Sequence, residues 1–329
     1  MSGLKIGVVG ATGLVGQELV SILEQSELEV SGIKFFASER SSGTFLSFRN
    51  QNYPTTELRE NDAPDLDYMF FCTCPRISAK FIPIFSERGI ICIDNSSKYR
   101  MQADVPLVVP EINAHALKGH GNIIANPNCS TIIALMALAP LHNAFELSGF
   151  CVSTYQAVSG VGRSGVSALM DDLAGEHGTS MATFGQQIAF NALPQIGKID
   201  ETGYSFEEKK MCDESRKILN RNELRISAMC VRIAVMRAHS MAIFASFKKQ
   251  IDPVQAENVL KQDKNIVFHG DGSFPCPIDV DGKNICEVGR LRMDSFIENG
   301  LSMWVVGDQV RKGAALNAFQ IMLALENQG

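Results

Sequence analysis

One cysteine of this 329-residue chain lies in surroundings unlike those of the other eight. Cys129 falls in Pro127-Asn128-Cys129-Ser130-Thr131, between an apolar run typical of a strand and an apolar segment typical of a helix. The dipole and free N–H groups at a helix N-terminus stabilise a thiolate and lower the thiol pKa below its free value of about 8.5. A buried filler is the alternative, but polar neighbours on both sides argue against it. We therefore predict that Cys129 is a nucleophile.

A nucleophilic thiol needs a proton carrier, and the chain offers six histidines. His239 lies in Arg237-Ala238-His239-Ser240, at the entrance to a strand-like run, from which a side chain can point into a cleft. A lone histidine is more often structural or exposed. On sequence grounds His239 is therefore the preferred candidate for the general acid/base.

Three glycines indicate a phosphate-binding turn near the N-terminus. Gly10, Gly13 and Gly16 directly follow the apolar run Leu4–Val9 and open a helical pattern. Such a turn lets the backbone approach a pyrophosphate, and the helix N-terminus presents free N–H groups to the anion. The spacing G-x-x-G-x-x-G differs by one residue from the common G-x-G-x-x-G, and an ordinary strand-to-helix turn is the alternative. The strand–helix–strand context favours a dinucleotide site.

The end of the second predicted strand bears on the choice between NAD and NADP. An acidic residue there holds the ribose hydroxyls, whereas an arginine accommodates a 2′-phosphate. Arg40 with the neighbouring Ser41 favours NADP, Glu39 argues the other way, and a solvated polar loop is the third interpretation. A reactive thiol combined with a nicotinamide cofactor points to one chemistry, in which the thiolate adds to a carbonyl and hydride transfer links a thioester with a thiohemiacetal.

The elements that position these residues are those of an α/β protein. A strand, a glycine turn, a helix and a second strand open the chain, and short apolar runs follow at 68–72, 90–93, 107–109 and 123–125. This order predicts a Rossmann-like, doubly wound parallel sheet. Beyond residue 127 the strand-like runs are longer and more widely spaced, at 149–158, 228–233, 242–247 and 301–306, which predicts a second α+β domain with a mixed sheet. The tail 312–325 reads as an amphipathic helix.

Composition excludes several classes of protein. The net charge is −6 with mixed signs throughout, which gives no basic footprint for nucleic acid. No apolar run reaches the ~18 residues of a membrane span, and the N-terminus does not read as a signal peptide. The nine cysteines are scattered without a disulfide framework, as in a reducing cytoplasm. We predict no metal centre.

In addition, the chain resembles the aspartate-β-semialdehyde dehydrogenase family along almost its whole length. The shared features are short motifs in a fixed order. They are Gly10 to Gly16, Asp94-Asn95-Ser96-Ser97 with Arg100-Met101, Val108-Val109-Pro110-Glu111 with Asn113, Ile124-Ala125-Asn126-Pro127-Asn128-Cys129-Ser130-Thr131, Ser153-Thr154-Tyr155-Gln156-Ala157-Val158-Ser159-Gly160, Ala189-Phe190-Asn191 with Pro194, Arg232 to His239, Val306-Gly307-Asp308, and Arg311-Lys312-Gly313-Ala314-Ala315-Leu316-Asn317.

The resemblance implies a role for each catalytic and substrate-binding residue. Cys129 would be the acyl-thioester nucleophile, His239 the general acid/base, and Gln156 the residue that orients thiol and carbonyl. Arg232 would clamp the substrate carboxylate and Glu207 would receive its ammonium. The remaining implied substrate contacts are Arg100 and Lys210 for phosphate and Asn128 beside the carbonyl. A surface ion pair is the alternative for Glu207 and Lys210, since Glu208 and Lys209 could shift the register.

The resemblance also implies NADP(H) as cofactor and two domains. The implied cofactor contacts are Gly10, Thr12, Gly13, Leu14, Val15, Arg40, Ser41, Ser159, Gly160 and Asn317. Residues 1–127, joined by a C-terminal helix at about 311–329, would form the NADP-binding domain, and residues 128–310 the catalytic and dimerisation domain. A homodimer or a dimer of dimers is expected, with the sheet of the second domain as the interface.

The implied reaction is NADPH-dependent reduction of L-aspartyl-4-phosphate to L-aspartate 4-semialdehyde and phosphate, in lysine, threonine and methionine biosynthesis. N-acetylglutamyl-phosphate reductase is the nearest alternative, and an inactive nucleotide-binding relative is another. Two positions depart from the family pattern. Cys72-Thr73-Cys74-Pro75 replaces a Ser-Ala-Gly-like turn and puts the backbone under the cofactor in doubt, and Lys98 stands where a small residue is common.

Overall fold

The computed structural model describes residues 3–62, 65–270 and 272–327. The chain divides into two compact units: unit 1 comprises Met1–Asn128 with Ala314–Gly329, and unit 2 comprises Cys129–Gly313. The boundary expected after residue 127 thus falls after residue 128. Residues 311–313, which we grouped with the C-terminal helix, fall in unit 2.

Unit 1 is built on a seven-stranded sheet in the order β3-β4-β2-β1-β5-β6-β7. Its strands are β1 (Leu4–Val9), β2 (Val30–Ala37), β3 (Phe45–Phe48), β4 (Gln51–Glu57), β5 (Tyr68–Phe71), β6 (Ile91–Asp94) and β7 (Ile123–Ala125). All neighbours pair in parallel except β3 and β4, which form an antiparallel hairpin at the edge. The order reverses beside β1, so the carboxyl ends of β1 and β5 flank the crevice in which doubly wound sheets bind ligands.

The described part of unit 1 contains four α-helices: α1 (Leu14–Gln25), α2 (Pro75–Ser86), α3 (Pro110–Asn113) and α10 (Leu316–Glu326). Buried side chains of α1, of the central strands and of α10 share one hydrophobic cluster, which includes Leu19, Phe70 and Ile321. The helix expected at 312–325 begins later, at Leu316, because residues Arg311–Ala315 form a π-helical turn. Ala318 and Met322 are fully buried, so α10 is a core helix.

Two features of unit 1 were not predicted correctly. No strands were predicted where β3 and β4 lie, because their side chains are mostly exposed and an edge hairpin needs no long apolar run. The run 107–109 is not a strand. Only Leu107 forms an isolated bridge, with Ala125, and Pro110 begins α3 directly after the run.

Unit 2 contains a second seven-stranded sheet, in the order β12-β13-β14-β11-β8-β10-β9. The strands are β8 (Leu147–Gln156), β9 (Ala192–Leu193), β10 (Arg225–Ile233), β11 (His239–Phe247), β12 (Ile266–Phe268), β13 (Cys286–Met293) and β14 (Gly300–Gly307). Strands β8 and β10 pair in parallel, as do β12 and β13, and the other pairs are antiparallel. The prediction of a mixed sheet is confirmed.

Among the residues of unit 2 that the structure describes there are six α-helices: α4 (Cys129–Phe145), α5 (Arg163–Leu173), α6 (Gly178–Phe184), α7 (Phe206–Leu219), α8 (Pro253–Gln262) and α9 (Pro277–Val280). Helix α4 runs through Pro140, and eleven of its residues are buried. Along β8 buried and more exposed side chains alternate from Val152 onward, as expected for a sheet with one covered face. Within the described residues, no helix combines the length and the apolarity needed to span a membrane.

Candidate active site

The candidate nucleophile opens a helix. Cys129 is the first residue of α4, which runs 17 residues, and its thiol is half-buried. The backbone of Gly313 lies directly against it, since a Cβ on Gly313 would stand 2.9 Å from Cys129 Cβ. The placement at a helix N-terminus is the one that the sequence predicts, and it favours a thiolate.

Two predicted site residues meet across neighbouring strands. Gln156 is the last residue of β8, and Arg232 lies opposite it near the end of the parallel strand β10. Both side chains are buried. Gln156 Nε2 donates to Thr154 Oγ1 at 3.2 Å and to Glu207 Oε1 at 3.4 Å. The amide orientation of Gln156 is therefore set by a hydroxyl on its own strand and by a carboxylate from α7.

The N-terminal turn of α7 separates the roles of two adjacent glutamates. Ser205 caps the helix, and Glu208 completes the capping box and also accepts from the backbone N–H of Cys230 at 2.9 Å. Glu207 faces Gln156, and its Oε2 lies 3.2 Å from Lys210 Nζ, one helical turn away. The register that the sequence left open is thus Glu207 with Lys210, because the cap takes Glu208. Glu207 is buried, which argues against a surface ion pair.

Arg232 is a buried cation with competing influences. Burial lowers the pKa of its guanidinium, and the negative charges of Glu207 and of the Cys129 thiolate raise it. Nη1 donates to the carbonyl oxygen of Ala157 at 2.6 Å. Within the described residues, the other guanidinium nitrogens make no hydrogen bond. Part of the fork is therefore available to a ligand.

His239 is fully buried at the start of β11. The backbone N–H of Ala157 donates to its Nδ1 at 3.0 Å, so the neutral ring carries its proton on Nε2. Burial holds the pKa of His239 well below its usual value, and the positive charge of Arg232 lowers it further. Nε2 has no hydrogen-bond partner among the described residues. A buried donor without a partner at a cluster of reactive groups points to a ligand.

Gly160 leaves the space into which that donor opens. A Cβ at this position would lie 2.6 Å from Arg232 Nη1 and 3.4 Å from His239 Nε2. Only glycine lets the guanidinium and the imidazole occupy their places. Ser159, its neighbour, is buried, and its hydroxyl donates to the carbonyl of Met236 at 2.6 Å.

The glycine turn of unit 1 has the form that a dinucleotide pyrophosphate needs. Gly10 adopts φ +80°, and a Cβ there would lie 2.3 Å from the carbonyl oxygen of Cys72. Helix α1 begins at Leu14 after Gly13, with no side-chain cap and no acidic residue in its first turn, and Thr12 and Val15 flank this start. No side chain caps the first amides of α1, so the residues of this turn fit the pyrophosphate of NADP.

The other predicted cofactor residues of unit 1 take different positions. Arg40 is exposed in a 3-10 turn, Glu39–Ser41, directly after β2, as a 2′-phosphate contact requires. Asn317 is buried on α10, and its Nδ2 donates to Val108 O at 2.9 Å and to Asn126 Oδ1 at 2.7 Å. Asn317 therefore links α10 by hydrogen bonds to Val108 and Asn126, which belong to two of the motifs shared with the family.

The departures noted in the sequence have local explanations. Pro75 is the first residue of α2, a position whose N–H has no partner inside the helix, so the missing donor costs the helix nothing. Hydrogen bonds from the amides of Ile77 and Arg76 lower the pKa of Cys74, which is exposed. Lys98 is exposed as well.

Arg100 is buried, and it donates to Asn126 O at 2.9 Å and to Asn95 O at 2.8 Å.

The structure thus assembles the predicted site residues in two groups. Unit 2 brings together Cys129, Gln156, Ser159, Gly160, Glu207, Lys210, Arg232 and His239. Unit 1 contains Gly10, Thr12, Gly13, Leu14, Val15, Arg40, Ser41, Arg100, Asn128 and Asn317. Asn128 is buried and immediately precedes the thiol.

Sequence reasoning missed two polar residues beside this site. Thr154 is fully buried, and its hydroxyl accepts a hydrogen bond from the side-chain amide of Gln156. Its position two residues before Gln156 on the same strand was the feature of the sequence that could have indicated it. Gln309 is buried, and its Oε1 accepts from the backbone N–H of Ala238 at 2.9 Å. A polar Asp308-Gln309 pair directly after an apolar strand was its signal.

Comparison with known proteins shows which family models the two parts of the chain match. The family model "semialdehyde dehydrogenase, NAD binding domain" matches residues 5–120, and "semialdehyde dehydrogenase, dimerisation domain" matches residues 138–312. An aspartate-semialdehyde dehydrogenase of Aquifex aeolicus is 41% identical over 99% of both chains.

Solved structures extend the similarity to the whole fold. Aspartate semialdehyde dehydrogenase II of Vibrio cholerae, complexed with ASA, matches with a TM-score of 0.95 and 37% identity over 99% of both chains. The enzyme of Candida albicans, solved with NADP, matches with a TM-score of 0.80 and 25% identity over 99% of both chains. With this similarity over its full length, the chain belongs to the aspartate-semialdehyde dehydrogenase family.

Proposed function

We propose that this protein reduces L-aspartyl-4-phosphate to L-aspartate 4-semialdehyde and phosphate with NADPH, through a thioester on Cys129. One observation carries the proposal. A thiol at a helix N-terminus lies within electrostatic range of a buried guanidinium, and a buried carboxylate acts on the same guanidinium. An amino acid that carries a reactive side-chain carbonyl presents the complementary carboxylate, ammonium and electrophile.

Each charge of the substrate has a partner in this scheme. The free nitrogens of Arg232 bind the α-carboxylate in a two-pronged geometry. Glu207 receives the α-ammonium, and Lys210 and Arg100 bind the phosphate. Gln156, held by Thr154 and Glu207, orients the reacting carbonyl. Ser159 and Gly160 in unit 2 are assigned, with the glycine turn and Arg40, to the cofactor.

The reaction proceeds in two covalent steps on Cys129. The thiolate attacks C4 of the acyl phosphate, the C–S bond forms, and the C–O bond breaks to release phosphate. When bound, NADPH supplies a hydride to the carbonyl carbon. The C–S bond then breaks, Cys129 leaves as thiolate and the aldehyde is released. One proton is consumed overall, and the departing phosphate takes it up.

His239 acts at Nε2. Because Ala157 N–H occupies Nδ1, the neutral ring presents Nε2–H, which donates to the carbonyl oxygen as negative charge develops there. The depressed pKa keeps the ring in this form at neutral pH. The acid/base role expected from the family is thus proposed here as donation from Nε2.

The decisive experiment follows NADP reduction by absorbance with L-aspartate semialdehyde and inorganic phosphate. The wild-type protein is expected to show phosphate-dependent reduction, with NADP preferred over NAD. Cys129→Ser should abolish it while thermal unfolding stays near the wild-type value. Cys276→Ser, a change at another half-buried cysteine of unit 2, is the matched control and should remain active.

Near-normal activity in Cys129→Ser would remove the thioester from the mechanism. Phosphate-dependent activity with N-acetylglutamate semialdehyde, and none with aspartate semialdehyde, would favour the alternative reductase. An inactive wild type with no rapidly labelled thiol would favour the inactive nucleotide-binding relative.

The chain contains the dimerisation domain of its family. We propose that it forms a homodimer, or a dimer of dimers, through the less covered face of the unit 2 sheet. We also propose a cytoplasmic location, which the nine free cysteines support because thiols persist in reducing compartments.

A further inference from the structure

The residue that presents His239 has a backbone conformation that needs support. Ala238 adopts φ +68°, in the left-handed region that favours glycine, and it is fully buried. It ends a turn of residues 236–238 that leads into β11. A non-glycine residue keeps such a conformation only where its surroundings hold it there.

The side chain of Gln309 supplies that support at two points. Its Oε1 accepts from Ala238 N–H at 2.9 Å, and its Nε2 donates to Ser159 Oγ at 2.6 Å. Ser159 Oγ in turn donates its only hydrogen to Met236 O at 2.6 Å. Because the serine hydrogen is committed to Met236, Ser159 can only accept from Gln309, and this fixes the amide with Oε1 toward Ala238.

The adjacent Asp308 holds the middle of the same turn. Arg237 Nε donates to its Oδ2 at 2.7 Å. Oδ1 of the same buried carboxylate accepts from the amides of Val310 and Arg311 at 2.9 and 3.0 Å. Residues 236, 237 and 238 are therefore each tied, directly or through Ser159, to the two residues that follow β14.

The turn and the imidazole share a further neighbour. Residues 157–159 donate backbone N–H groups to His239 Nδ1, to Val235 O and to Met236 O. Nε2 has no hydrogen-bond partner within the described residues, so no hydrogen bond on that side fixes the ring. The direction of Nε2–H consequently depends on the backbone of residue 238 and on the Ala157 amide.

We propose that Gln309 is a positioning residue for His239, acting through the Ala238 amide and the Ser159 hydroxyl. The inference rests on the proposed function for its kinetic consequence, but its structural part does not. Loss of the amide lets the 236–238 turn relax and turns Nε2–H away from the reacting carbonyl. Misplacement of a catalytic group by about 1 Å costs up to about 100-fold in rate.

The test compares Gln309→Met, which keeps the size and removes both hydrogen bonds, with Gln320→Met. Gln320→Met, the matched control, removes a side-chain hydrogen bond to Glu111 in unit 1. We expect Gln309→Met to lower kcat by about 10- to 100-fold with the KM for NADP little changed, and the control to stay near wild type. A raised KM for NADP with unchanged kcat would overturn the proposal and make Gln309 a cofactor contact.

A second substitution tests whether Gln309 acts through the 236–238 turn. Ala238→Gly lets the turn keep a positive φ without steric strain, so adding it to Gln309→Met should recover part of the lost kcat. No recovery would show that Gln309 does not act through this turn. If Gln309→Met fails to fold, Ser159→Ala is the second variant. Because Ser159 is also assigned to the cofactor, this variant is judged by the ring signals of His239, which should shift, and not by the KM for NADP.

A readout without turnover separates this proposal from the proposed function. In protein with ¹³C- and ¹⁵N-labelled histidine, the ring signals of His239, assigned by their loss in His239→Asn, report the Nε2–H form. They should shift in Gln309→Met and not in Gln320→Met. If the wild type fails to reduce NADP, the proposed function fails while this measurement still decides the positioning. Unchanged ring signals in Gln309→Met would overturn it.

Discussion

At the scale of single residues, the burial of His239 has a consequence for stability. Its folded pKa lies well below 6.5 because burial and then the charge of Arg232 oppose protonation. The unfolded chain therefore binds more protons in acid, and the contribution of neutral His239 to stability is fully present above about pH 6.5 and declines below it.

The free energy of unfolding should consequently fall by about 1 kcal/mol between pH 6.5 and 5.5 because of this residue. Urea titrations at several pH values would measure it. His239→Gln is expected to lose that part of the slope, whereas His115→Gln, at an exposed position of unit 1, should keep it. Equal slopes in wild type and His239→Gln would contradict the buried neutral imidazole.

The carboxylate of Glu207 makes a separate prediction about the substrate ammonium. Glu207→Gln keeps the shape and the neighbours Gln156 and Lys210 but removes the charge. A lost charge-assisted hydrogen bond should raise the KM for aspartate semialdehyde by about 10- to 100-fold. Succinate semialdehyde, which lacks the ammonium, should not distinguish the variant from wild type.

Glu176→Gln, at an exposed position of the same unit, is the control for that substitution. If the KM for both aldehydes changes equally in Glu207→Gln, then Glu207 acts on the structure of the site and not on the ammonium.

Residue-level sequence reasoning reached some members of the site and not others. Cys129 could be found because polar neighbours and a strand-to-helix junction adjoin it in sequence. Gln309 was missed, because the polar pair that it forms with Asp308 does not show what it binds. Its partners, the Ser159 hydroxyl and the Ala238 amide, lie 150 and 71 residues away in sequence. The roles of the predicted site residues remain predictions.

At the scale of elements, the capping box of α7 connects stability with the site. Ser205 Oγ accepts from the backbone N–H of Glu208, and Glu208 Oε2 accepts from the backbone N–H of Ser205 at 2.6 Å. The first turn, which contains Glu207, is therefore fixed at both ends. Ser205→Ala should cost about 1 kcal/mol of unfolding free energy, measured by urea denaturation.

Ser164→Ala offers a comparison, because its hydroxyl is exposed and makes one long bond, to Val161 O. It should change stability by a few tenths of a kcal/mol at most. An equally small loss in Ser205→Ala would mean that tertiary packing, and not the cap, fixes the start of α7.

Strands and helices could be predicted from the sequence where an apolar run marks them. Strand β1 has the predicted bounds Leu4–Val9, because it lies between β2 and β5 and its last four residues are buried. The hairpin of β3 and β4 was missed because an exposed edge needs few apolar residues. Helix α4 continues through Pro140 because the burial of its side chains outweighs the one hydrogen bond that a proline removes.

At the scale of the whole molecule, self-association should depend on the less covered face of the unit 2 sheet. Met229 is about half exposed in the middle of β10, where its neighbours Ala228 and Cys230 are buried. Met229→Glu should shift the molecule toward monomer in sedimentation experiments, because a desolvated charge disfavours an apolar interface.

Val254→Glu, on the exposed side of α8, should leave the sedimentation pattern unchanged. A Met229→Glu protein that sediments like wild type would direct the search for the interface to another surface. The same experiment on wild type distinguishes a dimer from a dimer of dimers.

The composition of unit 1 from two separated stretches has a consequence for synthesis on the ribosome. The residues of α10 that complete the core around Leu19 and Phe70 are translated only after all of unit 2. Domains generally fold as the nascent chain emerges. The nucleotide-binding unit, although it is begun first, is therefore the last to be finished, and until then its incomplete core exposes apolar surface that chaperones recognise.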